Sequence, residues 1–222
     1  MPETVEEWRA GPPVPDGLLE VLAESRARHL IGPGDLEAHV GHAAGFARAV
    51  PRGADVVDLG SGGGVPGLAL AVGRPDLTLT LLDAARRRVR FLEWAVGRLE
   101  VGDRVVVVWG RAEELGRRVE YRERHDAVVA RSFGPPPVTA ECARPLLRRG
   151  GVLVVSEPPE AGDGQLGGPT DRWPERGLEA VGFSSGVGFV HGDAGFRVLV
   201  ADRPCPAELP RRPGVPQRRP RF

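Results

Sequence analysis

Residues 56–71 read VVDLGSGGGVPGLALA, an apolar strand that runs through a carboxylate into clustered glycines and out into an apolar helix. Four of the five residues 60–64 are glycine, a composition that costs backbone entropy and returns no side-chain packing. Such a turn is expected where a ligand must lie against bare backbone. Gly62, Gly64 and Gly67 match the spacing GxGxxG, with Asp83 near the offset used for a ribose. A nicotinamide-dinucleotide site is therefore one reading. The other rests on Asp58-Leu59-Gly60 ahead of the cluster. A carboxylate at a strand end suits an ammonium group and sits poorly beside a pyrophosphate. S-adenosylmethionine carries an ammonium and a sulfonium and has no phosphate, so the DxGxGxG form favours it.

The segments around this turn alternate. ADVVDL, LTLTLLD, RVVVVWG, HDAVVARS and GGVLVVSE read as short buried strands, separated by the helical patterns PGLALAVG, ARRRVRFLEWAVGRL, AEELGRRVEY and VTAECARPLLRR. This alternation predicts parallel strands with crossover helices on both faces. A further helix is expected around 172–181, after a Gly/Pro/Asp-rich loop at 158–170. SGVGFVH and FRVLVAD follow, separated only by GDAG, too little chain for a parallel crossover. The sequence thus predicts an α/β fold of five parallel strands finished by an antiparallel hairpin, the Rossmann-like layout of class I methyltransferases. A helical lead-in precedes it: DGLLEVLAESRARHL, with Asp16 as a candidate N-cap, then DLEAHVGHAAGFARAV. The expected division is an N-terminal helical extension over 1–50, an irregular arm forming its first 15 residues, a cofactor-binding domain over 51–203 and a basic Pro/Arg tail over 204–222.

Composition excludes several classes. No apolar run approaches the ~20 residues of a membrane helix, and the acidic start MPETVEEWRA lacks a signal-peptide core. Cys142 and Cys205 stand far apart with no CxxC or Cys/His cluster, so neither a disulfide framework nor a metal site is expected, and a cytoplasmic setting follows. The five histidines are scattered, and the four tryptophans, Trp8, Trp94, Trp109 and Trp173, are expected to pack. The 30 fixed cations are all arginine, whose planar fork suits phosphate and purine edges. They concentrate in ARRRVR, which also reads as a solvated helix face, and in PRRPGVPQRRPRF.

Several stretches together carry a family resemblance: DLGSGGGVPGLALA, LLDAARRRVRFLEWA, GRAEEL, DAVVARSFGPPP with LLRRGGVLVV, and LPRRPGVPQRRP. In these the chain resembles the RsmG (GidB) family from about residue 55 to the C-terminus. That resemblance implies methylation of N7 of a guanine in 16S ribosomal RNA with S-adenosylmethionine as donor, and the 16S rRNA or 30S subunit as partner of a monomeric enzyme. It implies a cofactor pocket formed by Asp58, Gly60, Ser61, Gly62, Gly64, Gly67, Asp83, Ala112, Glu113 and Arg131. The departures lie on the substrate side: His39-Val-Gly-His42-Ala stands where the family has His-x-x-Asp-Ser, Ser156-Glu157-Pro158-Pro159 where a lysine-glycine is common, and Ser132 replaces an alanine. A paralogue acting on a small molecule or another RNA, or a non-catalytic cofactor- or RNA-binding module, are the alternatives.

Individual residues carry paired readings. Asp83 serves a ribose or caps the following helix; Glu113 lies where the adenine belongs or is a solvated helix-start residue. Arg131, at the end of the fourth strand, is the candidate catalytic group, holding guanine O6 or a phosphate, or else pairs with Glu113 or Asp126. No general base is expected, because guanine N7 already exposes its lone pair. Arg211, Arg212, Arg218 and Arg219 follow an RNA backbone or belong to a free solubilising terminus.

Overall fold

A computed structural model describes residues 16–158, 172–184 and 186–222. The arm expected at 1–15, Trp8 and nearly all of the loop expected at 158–170 lie outside the described residues. In chain order the elements are α1 (Asp16–Ala27), α2 (Leu36–Ala49), β1 (Asp55–Leu59), α3 (Gly67–Gly73), β2 (Thr78–Asp83), α4 (Arg86–Arg98), β3 (Val105–Trp109), α5 (Ala112–Leu115), β4 (His125–Ala130), α6 (Pro136–Ala143), β5 (Leu147–Glu157), α7 (Glu175–Val181), β6 (Val187–His191), β7 (Ala194–Val200) and α8 (Val215–Arg218). The seven strands form one sheet in the order β3-β2-β1-β4-β5-β7-β6. β1 to β5 pair in parallel, and β7 runs antiparallel to both β5 and β6. The expected α/β architecture is therefore present, hairpin included. Strand order reverses between β1 and β4, so the loops leaving these two strands open a crevice at their carboxyl ends.

Period-two alternation divides the core. Val56, Leu79 and Leu81 face one side with Leu22, Phe46, Leu68 and Phe91; Val57, Leu82 and Val128 face the other with Val138, Leu146 and Leu178. The lead-in helices belong to the first of these cores. Asp35 caps α2 by accepting from the Glu37 amide at 3.3 Å. Phe46 meets Phe196 of β7 edge-on, ring centres 5.1 Å apart. Arg74, 2% exposed, closes the far end of α2: it donates to Ala47 O at 2.8 Å, to Val50 O at 3.2 Å and to Pro51 O at 3.1 Å, and pairs with Asp76 at 2.7 Å.

Three local expectations are corrected. The helix expected over AEELGRRVEY ends after one turn, because the chain bends at Gly116, whose backbone lies against Pro145 and Pro210. The helix expected through Arg149 stops at Ala143; Pro145 turns the chain through a short 3-10 segment (Arg144–Leu146) into β5. Of the tryptophans, Trp173 is buried, but Trp94 and Trp109 are 42% and 51% exposed. Trp109 ends an edge strand, donates to Ala84 O at 3.0 Å and lies 3.7 Å beneath the Arg86 guanidinium.

The C-terminal segment is docked on the domain. Leu209 and Pro210 are buried, and Phe222 covers Gly177 of α7. Arg122 holds the segment through Leu209 O at 2.7 Å while also donating to Gly116 O at 2.9 Å. Arg211 grips the fully buried Glu141 of α6, its Nε 2.8 and 3.1 Å from the two carboxylate oxygens and its Nη2 2.5 Å from one of them, with its own amide 3.0 Å from Oε1. Arg211 therefore does not present its guanidinium to RNA as expected; the exposed cations of this segment are Arg212, Arg218 and Arg219.

Two predictions follow from packing. A Cβ at Gly45 would overlap the Phe196 ring, whereas one at Gly41, four residues earlier in the same helix, meets nothing within 4 Å. Gly45→Ala should destabilise by about 1–3 kcal/mol and Gly41→Ala should stabilise by up to about 1 kcal/mol, both read from urea unfolding midpoints. Arg211→Ala should cost about 3–5 kcal/mol because it strands a buried carboxylate, and adding Glu141→Gln should recover much of that loss in the same assay.

Candidate functional site

The crevice at the β1/β4 reversal is built on two aspartates. Asp58, the penultimate residue of β1, is only 1% exposed, beneath the glycine turn. Its Oδ2 accepts from the Gly67 amide, the first of α3, at 3.0 Å, and Gly67 is required because a Cβ there would strike this same oxygen and Leu81. Ser61 Oγ donates to Asp58 O at 2.9 Å, folding the turn back on its strand. Burial pushes the Asp58 carboxyl up to about 7, against the opposing pull of its hydrogen bonds to Ser61 and Gly67. Asp83, at the end of β2 and 4% exposed, accepts from the Gly62 amide at 2.9 Å through Oδ2 and from the Ala85 amide at 2.8 Å through Oδ1. Arg88 lies 3.5 Å away. Ala85 is the N-cap of α4, so Asp83 orders the turn before that helix and does not itself cap it. Asp83 Oδ2 thus has two donors, whereas Oδ1 has one and retains a lone pair for another.

Gly60, Leu82, Asp83, Ala112, Glu113 and Phe133 line a cavity of about 120 Å³, with Gln217 of α8 at its side. It adjoins, at Gly60, a cleft of about 350 Å³ walled by Gly60–Gly63, Leu30–Pro33, His39, Arg88, Arg131 and Ser132. Arg131 and Ser132 in turn border a third space of about 780 Å³, whose walls include His42, Phe133, Thr139, Glu157, Trp173 and His191. The three spaces form a row whose first and third members also share Phe133, and Arg131 stands where the second meets the third. Ser132 adopts a left-handed backbone (φ 53°), uncommon for a residue with a Cβ.

Most of the expected pocket residues are brought together. Gly60, Ser61, Gly62, Asp83, Ala112, Glu113 and Arg131 line the row, whereas Asp58, Gly64 and Gly67 shape the turn from beneath. Arg131 pairs with neither Glu113 nor Asp126. Its Nη2 lies 3.0 Å from His39 Nδ1 on α2, while Asp126 accepts from the Asp55 amide at 2.8 Å and pairs with Arg148. Glu113 is 2% exposed, far from a solvated helix start, and its Oε1 accepts from the Gly214 amide at 3.0 Å. Ser25 of α1, fully buried, donates to Gly63 O at 2.9 Å, so the lead-in braces the glycine turn. Nothing in the sequence singled out Ser25, Phe133 or Gln217. His39 and His42 carried a signal, as the pair standing in for a family motif.

The largest space has a distinct electrostatic character. Burial, with Arg131, His39 and His191 nearby, pulls His42 down to about 4, so it is neutral at physiological pH and a weak base. Glu157 is occupied by Arg172, Trp173 and Arg197. The row as a whole fits an adenosyl sulfonium: a small cavity with carboxylates for the nucleoside, a backbone-lined cleft for the amino-acid portion, and an adjoining chamber for an acceptor. Among the described residues no group of His, Cys, Asp and Glu is arranged to hold a metal ion, and no helix is long and apolar enough to cross a membrane.

Comparisons agree with this fold. The chain's fold is similar to an O-methyltransferase from Bacillus cereus in complex with SAH (TM-score 0.60, 20% identity, 89% of this chain and 100% of that one) and to cofactor-bound Rv0187 from MTB (TM-score 0.61, 22% identity, 92% and 99%). In sequence it is 36% identical over 177 residues to ribosomal RNA small subunit methyltransferase G of Moorella thermoacetica, covering 77% of this chain and 71% of the relative. It is 42% identical over 176 residues to the Deinococcus radiodurans protein of the same name (75% and 65%), and 44% over 148 residues to that of Thermobifida fusca (64% and 60%). The matched segments thus span between 60% and 71% of those three relatives' lengths. The family model for rRNA small subunit methyltransferase G matches residues 22–158, from within α1 to just past β5, and the chain belongs to that family.

Proposed function

We propose that this chain is an S-adenosylmethionine-dependent methyltransferase that modifies N7 of a guanine in 16S ribosomal RNA. The observation that carries the reading is the row of three spaces at the β1/β4 reversal, with Arg131 at the junction between donor and acceptor sides. When bound, S-adenosylmethionine supplies a methyl group on an electron-poor sulfur. Asp83 accepts from the ribose hydroxyls, Ala112 and Glu113 border the adenine, and the amides and carbonyls of the glycine turn border the amino-acid portion. Asp58 supplies negative charge under that turn.

The chain's own residues act mainly by placement. Guanine N7 has a lone pair in the ring plane and no proton to lose, so the acceptor chamber needs no general base. His42, held neutral, and Glu157, tied to Arg172 and Trp173, are consistent with that demand. Arg131, fixed by His39, donates to guanine O6 or a flanking phosphate and so orients N7. Orientation of this kind can contribute ~7–11 kcal/mol to lowering a barrier. Arg212, Arg218 and Arg219 project from the docked C-terminal segment and contact the RNA backbone.

A tritium-methyl assay on isolated 30S subunits and on naked 16S rRNA tests the reading; label recovered as N7-methylguanosine is expected, and no transfer to either substrate by folded protein overturns it. In that assay Arg131→Ala should lower kcat by about a hundredfold, with calorimetric affinity for S-adenosylhomocysteine changed far less.

Asp58 offers a pH test. Its carboxyl ionises near 7 in the folded chain and near 3.8 when exposed, so the folded state binds the extra proton and stability falls as pH rises from about 4 to about 7. Asp58→Asn should flatten that slope in urea titrations. If the ligand's ammonium approaches Asp58, S-adenosylhomocysteine binding at pH 6.5 releases a proton, visible as a dependence of binding heat on buffer ionisation enthalpy. A buffer-independent heat would remove Asp58 from the ammonium-binding role.

A further inference from the structure

The C-terminal segment reads in sequence as an RNA-contacting or free solubilising tail, yet it reaches the small cavity beside Glu113. Gly214, in a left-handed conformation (φ 77°), donates its amide to Glu113 Oε1 at 3.0 Å. Arg111 lies 3.6 Å from the same oxygen. Glu113 is thereby committed through Oε1 to the segment that covers it. Three residues beyond Gly214, Gln217 lines the 120 Å³ cavity together with Asp83 and Ala112. The segment cannot drift from this place without breaking the Arg211–Glu141 pair, whose carboxylate is wholly buried.

An adenine edge presents an amine that donates and ring nitrogens that accept. Carboxylates match only the first. A carboxamide matches both, offering one acceptor and two donors on a neutral group, and glutamine is the side chain that pairs bidentately with adenine N6 and N7 in nucleic-acid recognition. We infer that Gln217 is an adenine-reading residue of the cofactor pocket, placed there by the Gly214–Glu113 and Arg211–Glu141 contacts. The inference rests on the proposed S-adenosylmethionine site and adds to it a specificity residue from outside the sheet. The same short segment then carries both Gln217 and the exposed Arg212, Arg218 and Arg219.

The test is calorimetric binding of S-adenosylhomocysteine and of S-inosylhomocysteine, in which a carbonyl replaces the amine, to the full chain and to Gln217→Ala. Gln217 is exposed on a short surface helix, so the variant should keep the wild-type unfolding midpoint. Wild type should prefer the adenosyl ligand. Gln217→Ala should bind it about three- to tenfold more weakly while binding the inosyl ligand as before, so the preference collapses. Unchanged affinity for the adenosyl ligand, or an equal loss for both ligands, overturns the role of Gln217 and leaves the cofactor site standing. Absence of S-adenosylhomocysteine binding to the wild type overturns both.

Discussion

One hydrogen bond sets the geometry of the whole crevice: the Gly67 amide on the buried Asp58 carboxylate. A charged group 1% exposed is costly to desolvate, and the chain meets that cost partly by raising the carboxyl's proton affinity and partly by giving it the amide at the start of α3. The bond fixes how sharply the chain leaves β1. That angle places Gly62 within reach of Asp83 on the neighbouring strand, and Asp83 in turn orders the entry to α4. Two carboxylates at adjacent strand ends therefore hold one bare backbone turn from below and from the side.

The glycine turn is also held from above, by a part of the chain outside the alternating pattern. α1 supplies Ser25 to Gly63 O, and α2 supplies His39 to Arg131. These helices are seated in the same apolar core as the sheet, through Leu22, Phe46 and the buried Arg74. The space of about 780 Å³ lies between α2, the β4–α6 loop, the end of β5 and the β6–β7 hairpin. Of the departures from the family pattern, His42 and Glu157 wall that space, Ser132 borders both it and the glycine-turn cleft, and His39 walls the cleft. The two sides share Arg131, Ser132 and Phe133.

The far end of the chain completes the other wall. A short segment rich in proline and arginine reads as a free basic tail, yet Arg211 finds a fully buried partner in Glu141, and Pro210 packs where Gly116 leaves no side chain. An arginine-rich stretch looks solvated in sequence because its partners sit 70 and more residues away. Glu113, which reads as an ordinary first-turn acid, is buried for the same reason.

The chain's sequence alone specifies the strand-helix alternation, the antiparallel finish and the glycine turn at the mouth of the crevice. Each of these follows from local chemistry: period-two and period-3.6 apolar patterns, a four-residue connection too short for a crossover, and a run of glycines that costs backbone entropy without adding packing. Lengths were read less well at Gly116 and Pro145, where packing against distant prolines and a missing amide ended elements that their own residues would have continued. Which side chains converge was decided only by the tertiary structure. The pairings Ser25 with Gly63, His39 with Arg131, Glu113 with Gly214 and Glu141 with Arg211 join positions 38 to 101 residues apart, and a linear pattern carries no record of which buried donor will meet which buried acceptor once the sheet has closed.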